Sequence, residues 1–339
     1  MEAGVTGAST VAFAVADSSH VSAARLGVAR MTQALGFDET QAGRAAIVVT
    51  EAATNILKHA GRGTFVAQAV AVDGALGLEM LAIDKGPGMR DFESSAVDGH
   101  STSGTRGTGL GAIRRQSDEF EVYTHHAAGT ILRAMLWSGA PPAPHEGYEV
   151  GAICVPKPGE TVCGDAWGVE FTPQGAVFLL ADGLGHGPDA SRAASLAVDA
   201  LRRHAADGAV RLLDRAHAAL KPTRGAAVAV MRHDAAAGEI VYAGVGNISA
   251  VILSASSRRA MVSSNGIVGH NVHRSQEYRY PWARGALLVA HTDGIDTHWD
   301  LAAFPGLADC HPSVIAAMLY REHARGRDDA GVVVARTRQ

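Results

Sequence analysis

Apolar residues recur at helical spacing in two segments near the start of the chain. Residues 20–37 and 38–60 have such faces, Gly36 can end the first helix, and Asp38 can cap the second. The remaining elements predicted in this half are strands over 64–72 and 76–84, a helix over 110–117, and strands over 119–124 and 129–137. This order predicts a mixed sheet with its helices gathered in one layer.

The second half of the chain is richer in short apolar runs of strand length. They predict strands over 150–156, 166–172, 175–182, 225–233, 239–246, 249–255, 285–293 and 330–336. Longer amphipathic segments predict helices near 188–204, 210–220 and 311–322. Many strands with a few long helices favour two sheets packed face to face, with the helices outside.

A proline-rich segment separates these two patterns. Residues 138–147 combine Pro with Ala, Gly and Ser, which disfavours both helix and sheet hydrogen bonding. The chain has 339 residues, enough for two domains, and shows no internal repeat. We therefore expect unlike domains over 1–137 and 148–339, joined by this linker.

Composition narrows the classes of function. Lys plus Arg is 30 and Asp plus Glu is 34, a net charge of −4 without a basic cluster, which argues against a nucleic-acid partner. The 16 histidines show no zinc-site spacing, and Cys154, Cys163 and Cys310 form no CxxC, as expected in a reducing cytosol. Without a basic signal region or a membrane-length apolar run, the sequence predicts a soluble cytoplasmic protein that does not bind membranes.

One helix face and one strand end in the first half have the chemistry of a nucleotide site. Glu51, Asn55 and His59 follow one another at intervals of four residues, which places them on one side of a helix. The Asn55 amide oxygen suits Mg²⁺, and Glu51 can polarise a hydroxyl near a γ-phosphate. Asp84 ends a strand, where its carboxylate can accept a hydrogen from an adenine amino group.

Glycines follow in positions that suit phosphate binding. Those in the loops and at the helix start are Gly86, Gly88, Gly107, Gly109 and Gly111. Backbone N–H groups at a helix N-terminus can approach phosphate, whereas a dinucleotide fold is excluded because GTRGTG follows no strand of a βαβ unit. Each piece alone has a simpler interpretation, a solvated helix face or a flexible loop. The order EAATN, DKGPG and GTGLG within one domain favours the nucleotide site.

This order resembles the N, G1 and G2 boxes of the GHKL ATPases over roughly residues 10–137. It is most similar to the small serine kinases and anti-sigma factors of bacterial stress signalling, such as the stressosome switch kinase. Histidine kinases share the boxes but need a phosphoacceptor helix, for which this chain has no room. The resemblance implies a Bergerat α/β sandwich that binds ATP with Mg²⁺, Glu51 as catalytic base, Asn55 as Mg²⁺ ligand and Asp84 as adenine reader. It also implies phosphate transfer to a serine of a STAS-domain partner.

Aspartates in the second half stand where apolar strands meet loops. They are Asp165 in GD, Asp182 in DGLGHG, Asp293 in TDG, and Asp328 and Asp329 in DD. Each could belong to an unrelated turn. Carboxylates from several strand ends can instead converge at one rim, where they repel unless a divalent cation lies among them. Oxygen ligands favour Mg²⁺ or Mn²⁺, and a pair of such ions can activate water and clamp a phosphoryl oxygen.

The aspartate order resembles the SpoIIE-type branch of the PPM serine/threonine phosphatases over roughly residues 147–338. The resemblance implies an αββα sandwich with a pair of metal ions bridged by Asp165 and Asp182, the catalytic carboxylates. Gly183 would add its carbonyl oxygen, and Asp293 and Asp328 would complete the ligands. Asp329 would support these ligands without binding a metal ion itself. Ala330 and Gly331 depart from the family pattern, in which a Thr often follows, so we expect a weaker outer layer around the ligands. His186 is more simply a turn residue than a proton donor, and His291 a strand residue than a ligand.

The sequence therefore predicts an α+β fusion protein with two activities. The expected function is a Mn²⁺- or Mg²⁺-dependent phosphatase for a phosphorylated STAS-domain regulator, fused to an ATP-binding serine-kinase or anti-sigma module. A sigma-factor regulator is a further expected partner. The alternative is a phosphatase whose first half binds ATP and a partner protein without transferring phosphate.

Overall fold

The computed structural model describes residues 4–89, 109–125, 128–143, 145, 147–254, 256–272 and 275–338. In the first half the strands are β1 (Gly4–Val15), β2 (Gly63–Val72), β3 (Ala75–Asp84), β4 (Glu119–Thr124) and β5 (Thr130–Trp137). The helices are α1 (Ser18–Ala34), α2 (Glu39–Asn55), which continues as a π-helical turn over Ile56–Ala60, and α3 (Gly109–Gln116).

The second half contains the remaining strands and three helices. The strands are β6 (Tyr148–Val155), β7 (Asp165–Thr172), β8 (Gly175–Gly183), β9 (Ala226–Asp234), β10 (Glu239–Val245), β11 (Ser249–Ser254), β12 (Ser257–Ala260), β13 (Gly266–Ile267), β14 (Asn271–Val272), β15 (Tyr278–Pro281), β16 (Leu287–His291) and β17 (Ala330–Thr337). The helices are α4 (Pro188–His204), α5 (Ala209–Leu220) and α6 (Pro312–His323). All three lie where the sequence predicted helices.

Both helices at the start of the chain begin at a capping aspartate. The Asp17 side chain accepts hydrogen bonds from the backbone of Ser19 and His20 at the start of α1. Asp38 forms a capping box with Gln41 at the start of α2, as the sequence predicted for Asp38. These caps satisfy N–H groups that have no partner within the helix.

The strands form a large and a smaller antiparallel sheet, and β13 pairs separately with β14. The large sheet has ten strands in the order β15-β10-β9-β8-β7-β1-β2-β3-β5-β4, and the smaller has five in the order β12-β11-β16-β17-β6. Strand β1 joins the halves, because it pairs with β2 along most of its length and with β7 at its start. The sequence did not predict β1, nor the sheet that it makes continuous.

The layers of the second half follow an αββα order. Helices α4 and α5 pack on the outer face of the large sheet, around Val177, Leu179 and Val228. The opposite face of that sheet packs against the smaller sheet, around Phe178 and Leu288. This arrangement agrees with the predicted fold class. In the first half, helices α1, α2 and α3 cover one face of strands β2, β3 and β5, in the single layer that the sequence predicted.

Helix α6 lies between the two halves of the molecule. It packs against the outer face of the smaller sheet and against Leu81, Ile83 and Ile131 in the first half. Every residue over 312–319 is buried, as expected for a helix with apolar neighbours on all sides. No helix in the described part of the chain is both long and apolar enough to cross a membrane.

A buried polar network adds to this contact between the halves. Gln68 on β2 donates to the Glu79 carboxylate at 2.6 Å and to the carbonyl of Ala152 on β6 at 2.7 Å. Arg133 on β5 pairs with Glu79 at 2.5 Å and with Glu119 at 2.9 Å. Since a buried charge is costly without partners, the network favours one fixed arrangement of the two halves.

Candidate functional site

The predicted metal site begins on two neighbouring strands. Asp165 is the first residue of β7, and it lies directly opposite Asp182 in the β7–β8 register. Side chains directly opposite each other in an antiparallel pair have Cβ atoms about 5 Å apart, and like charges in such a pair destabilise it. The sequence placed these carboxylates at strand ends, and the structure pairs them.

The other three aspartates lie at the same end of the sheets. Asp293 follows β16, and its Oδ2 accepts a hydrogen bond of 2.6 Å from Asn247 in the turn between β10 and β11. Asp328 and Asp329 precede β17, and Asp328 Oδ1 accepts the Asp329 backbone N–H at 3.0 Å. The structure therefore brings all five predicted aspartates to one edge of the two packed sheets, called the aspartate rim below.

The pKa values of the rim aspartates reflect burial first and repulsion between the carboxylates second. Burial, and then the negative charges of Asp293, Asp328 and Asp329, raise the pKa of Asp182 to about 7. Burial, Cys163 and Asp182 raise the pKa of Asp165 well above its ordinary value. Burial and Asp328 raise the pKa of Asp293. Burial and neighbouring carboxylates both raise a carboxyl pKa, and at Asp293 the cations Arg325 and Arg327 act in the opposite direction.

The donor set fits a divalent cation. Asp165 Oδ1 is buried and has no hydrogen-bond partner, and a cation would remove that cost. Among the described residues, no three Asp, Glu, His or Cys side chains already form a group that could hold a metal ion. At Gly183 a Cβ atom would lie 2.1 Å from the Ala190 carbonyl oxygen, so the close approach of α4 requires glycine there.

Thr292 is a residue of this site that the sequence did not single out. Its Oγ1 donates to Asp165 Oδ2 at 2.8 Å and accepts the Gly331 backbone N–H at 2.9 Å. A Cβ atom at Gly331 would lie 3.0 Å from Asp165 Oδ2, which accounts for the small residue there. A hydroxyl just after β16, in the smaller sheet, thus supports Asp165 on the large sheet, although the pattern after Asp329 led us to expect a weaker outer layer.

Replacing Thr292 by Val should weaken metal binding, because Val keeps the volume but removes the hydroxyl that orients Asp165. We expect a loss of about 10- to 100-fold in Mn²⁺ affinity, the typical cost of removing a group that orients a metal ligand. Isothermal titration with Mn²⁺ measures it. Thr292→Ser retains the hydroxyl and should bind Mn²⁺ like the unchanged protein. Equal affinity in the Val and Ser variants would contradict this role.

The two histidines near the rim differ in their surroundings. His291 is buried on β16, where Nδ1 donates to the Thr292 carbonyl and Nε2 accepts from the Trp299 indole. Both ring nitrogens are engaged, so His291 is a strand residue, as the sequence indicated. His186 lies in the exposed loop after β8, and its Nδ1 is 2.6 Å from Glu160 Oε1. This pair borders the rim without entering the aspartate cluster.

The raised pKa values predict how the stability of the metal-free protein depends on pH. A carboxyl whose pKa is higher in the folded state stabilises the fold while protonated, and this contribution is lost as pH rises through the folded-state value. With Asp182 near 7, the metal-free protein should melt at a lower temperature at about pH 8 than at about pH 5.5. Thermal melts in EDTA test this, and Asp182→Asn should flatten the dependence. An identical pH profile in that variant would contradict it.

The predicted nucleotide residues of the first half also converge. Glu51 and Asn55 stand on the last turns of α2, and a Cβ atom at Gly109 would lie 3.0 Å from Glu51 Oε2 and 3.5 Å from Asn55 Oδ1. The N-terminus of α3 therefore faces a carboxylate and an amide, which suits a magnesium-bound phosphate. After Asn55 the helix widens into a π turn that carries His59.

Asp84 is held at the end of β3 by backbone groups. Its Oδ1 accepts the Gly86 N–H at 2.7 Å and the Thr130 N–H at 3.2 Å, and no described residue donates to its Oδ2. Burial raises the pKa of Asp84, while these amides, Arg321 and His59 act in the opposite direction. A partly buried carboxylate with one oxygen available suits the recognition of an adenine amino group.

Two of the remaining predicted glycines lie at this strand end. Gly86 and Gly88 follow β3, and Gly88 has a left-handed φ of +66°. Gly111 is buried in the first turn of α3. Gly107 lies outside the described residues. The described part of the nucleotide site thus comprises the end of α2, the end of β3 and the start of α3.

Comparison with known proteins matches each half of the chain to a different family. Residues 14–136 match the family described as "Histidine kinase-like ATPase domain", and residues 172–338 match "Stage II sporulation protein E (SpoIIE)". The chain is similar to the serine/threonine-protein kinase RsbT of Bacillus subtilis (strain 168), with 37% identity over 117 residues, covering 34% of this chain and 87% of that protein.

Two further similarities concern a phosphatase. Phosphoserine phosphatase RsbX of Bacillus subtilis (strain 168) is 23% identical over 141 residues, covering 41% of this chain and 71% of that protein. A crystal structure of RsbX in complex with magnesium matches with a TM-score of 0.50 and 19% identity, over 57% of this chain and 97% of that one, which shows a shared fold. Both family resemblances inferred from the sequence are thereby confirmed.

Proposed function

Because this chain belongs to the histidine kinase-like ATPases of the RsbT type and carries a SpoIIE-type phosphatase domain behind that module, we propose that it is a two-activity switch protein of stress signalling. The second half removes phosphate from phosphoserine or phosphothreonine of a STAS-domain regulator. The first half binds ATP with Mg²⁺ and phosphorylates a serine of such a regulator.

The observation that carries the phosphatase proposal is the pairing of Asp165 with Asp182, together with the unpartnered Asp165 Oδ1. A pair of Mn²⁺ or Mg²⁺ ions would be held by the carboxylates of Asp165, Asp182, Asp293 and Asp328 and by the carbonyl oxygen of Gly183. The ions supply water activation and charge neutralisation at the phosphoryl group. The magnesium bound by the related RsbX supports this cofactor class.

The residues around the ligands would orient them and admit the substrate. Thr292 fixes Asp165, and Asn247 fixes Asp293, so each carboxylate keeps one oxygen directed by the protein. Asp329 Oδ1 accepts the Lys157 backbone N–H at 2.8 Å, which ties the loop over 156–164 to the rim. In the glycine-rich loop after Asp182, Leu184, Gly185 and His186 are exposed, which leaves room for a bulky phosphoprotein.

The test is dephosphorylation of a serine-phosphorylated STAS-domain protein by the full chain. We expect turnover with Mn²⁺ or Mg²⁺, none after EDTA treatment, and recovery when metal is restored. Turnover that persists in EDTA would contradict the proposed use of the aspartates. A phosphoserine peptide of unrelated sequence serves as the control for partner recognition.

For the first half, the convergence of Glu51, Asn55 and Gly109 supports phosphate transfer. Glu51 would accept the proton of the attacking serine hydroxyl, Asn55 would hold Mg²⁺, and Asp84 would read adenine. The second candidate is a module that binds ATP and a partner without transfer. Incubation with ATP labelled in its γ-phosphate separates the two, because label on the STAS-domain protein supports a kinase and label retained on ATP supports a binder.

The proposal also covers organisation and location. We assign residues 1–137 to the kinase-like module, 138–147 to the linker and 148–339 to the phosphatase. Both reactions act on intracellular phosphoproteins and ATP, so we place the protein in the cytoplasm, with a STAS-domain protein or a sigma-factor regulator as its partner.

A further inference from the structure

The strand end that carries Asp84 is contacted by a side chain from the other half of the molecule. Arg321, on the last turn of α6, donates from Nη1 to the Asp84 backbone carbonyl at 2.8 Å. Its side chain is only 4% exposed, although arginine is rarely buried without partners. Arg321, a residue of the second half, thus contacts the backbone of Asp84, which is predicted to recognise adenine.

The junction around this contact is closely packed. Gly129 has a φ of +77°, and a Cβ atom there would lie 2.1 Å from the Asp84 carbonyl oxygen and 2.8 Å from Arg321 Nη1. Arg321 Nε pairs with Glu322 at 2.7 Å, and Glu322 pairs in turn with Lys85 at 3.1 Å. Arg321 and Glu322 of α6 therefore contact Asp84 and Lys85, the segment at the end of β3 that is called the nucleotide loop below.

The other side of the same helix end contacts the aspartate rim. The Asp296 N–H donates to the His323 carbonyl at 2.8 Å, and the Arg325 N–H donates to the Gly294 carbonyl at 2.8 Å. Gly294 follows Asp293, and Arg325 precedes Asp328 by three residues. The end of α6 is thus bonded both to the turn of one predicted metal ligand and, through Arg321, to the nucleotide loop.

We propose that Arg321 is a positioning residue of the nucleotide site, supplied by the phosphatase half, and that helix α6 thereby couples nucleotide binding to the phosphatase centre. This inference rests on the proposed function of both sites. Arg321 holds the Asp84 carbonyl, and through it the backbone that orients the Asp84 carboxylate. Coupling between two binding sites is reciprocal, so a ligand that shifts one end of α6 changes binding at the other.

The test compares five forms of the full chain: the unchanged protein, Arg321→Ala, Arg321→Lys, Glu322→Gln and Arg336→Ala. Arg336 is a matched control, since it also pairs with a carboxylate, Glu149, and donates to two backbone carbonyls, but only within the second half. Glu322→Gln removes the charge that holds Arg321 while keeping the side-chain volume, in case Arg321→Ala does not fold. Titration calorimetry with Mg²⁺-ADP and Mg²⁺-GDP measures affinity and base preference.

We expect Arg321→Ala to bind ADP about tenfold more weakly, within the range usual for coupled sites, and to lose part of its preference for ADP over GDP. Arg321→Lys should recover part of the affinity, Glu322→Gln should show a smaller loss, and Arg336→Ala should bind like the unchanged protein. A purely structural role would lower the melting temperature of Arg321→Ala without changing base preference, and that result would overturn the inference.

Phosphatase turnover gives the second readout. In excess Mn²⁺, saturating ADP should change turnover of the unchanged protein and of Arg336→Ala by about fivefold or more, and should leave Arg321→Ala unaffected. An equal response in Arg321→Ala would overturn the coupling alone. Failure of the unchanged protein to bind ADP would overturn the proposed nucleotide site and this inference with it.

Discussion

Replacing Asp182 by Asn is expected to reduce metal-dependent phosphatase turnover by more than about 100-fold. Changes to groups that only orient a metal ligand commonly cost about 10- to 100-fold, and Asp182 is proposed as a metal ligand itself. The amide keeps the shape of the side chain but removes the negative charge. The measurement is the rate of phosphate release from a serine-phosphorylated STAS-domain protein over a range of Mn²⁺ concentrations.

The matched control is Asp199→Asn on helix α4. Asp199 is half-buried and pairs with Arg202 on the same helix, outside the aspartate rim, so this variant should turn over substrate normally. Phosphate transfer by the first half should persist in both variants, which separates loss of metal binding from loss of folding. Full turnover by Asp182→Asn at saturating Mn²⁺ would refute the ligand assignment.

Replacing Glu51 by Gln should abolish most phosphate transfer while preserving ATP binding. A positioned general base contributes about 10²- to 10⁴-fold to a rate, and we expect a loss of that size in label transferred from γ-labelled ATP. Binding should persist because Asn55, Asp84 and the glycine loops remain. Titration calorimetry with ATP in the presence of Mg²⁺ measures that affinity in parallel.

Glu39→Gln provides the control for this prediction. Glu39 is in the first turn of the same helix α2, about three turns before Glu51, so its loss should leave both transfer and binding unchanged. Transfer at the normal rate by Glu51→Gln would remove Glu51 from the mechanism. Absence of transfer in the unchanged protein, with ATP bound, would instead favour the module that binds without transfer.

Most of the fold could be predicted because the long strands and helices carry strong periodic patterns. Strand β1 could not, since Gly4, Gly7, Ser9 and Thr10 interrupt its apolar alternation. Its place in the sheet depends on pairing with β2 and β7, which are distant in the sequence. Strands β12 to β15 are only two to four residues long and largely exposed, so they leave little apolar signal.

In the candidate sites too, residues that follow a local pattern could be predicted, and residues placed by contacts distant in the sequence could not. The five aspartates follow apolar strands directly, so sequence alone could nominate them. The supporting groups could not be nominated, because Thr292, Asn247 and Arg321 act on carboxylates or carbonyls that are 46 to 237 residues away in the chain. Which hydroxyl, amide or guanidinium reaches which aspartate is decided by sheet register and by the position of α6.

The most direct test of the central proposal is a crystal of the full chain soaked in Mn²⁺ and measured for anomalous scattering. We predict a pair of manganese peaks at the rim, between Asp165 and Asp182, with Asp293 and Asp328 as further ligands and Thr292 still bonded to Asp165. Manganese found only elsewhere, with these carboxylates turned away from one another, would contradict the account.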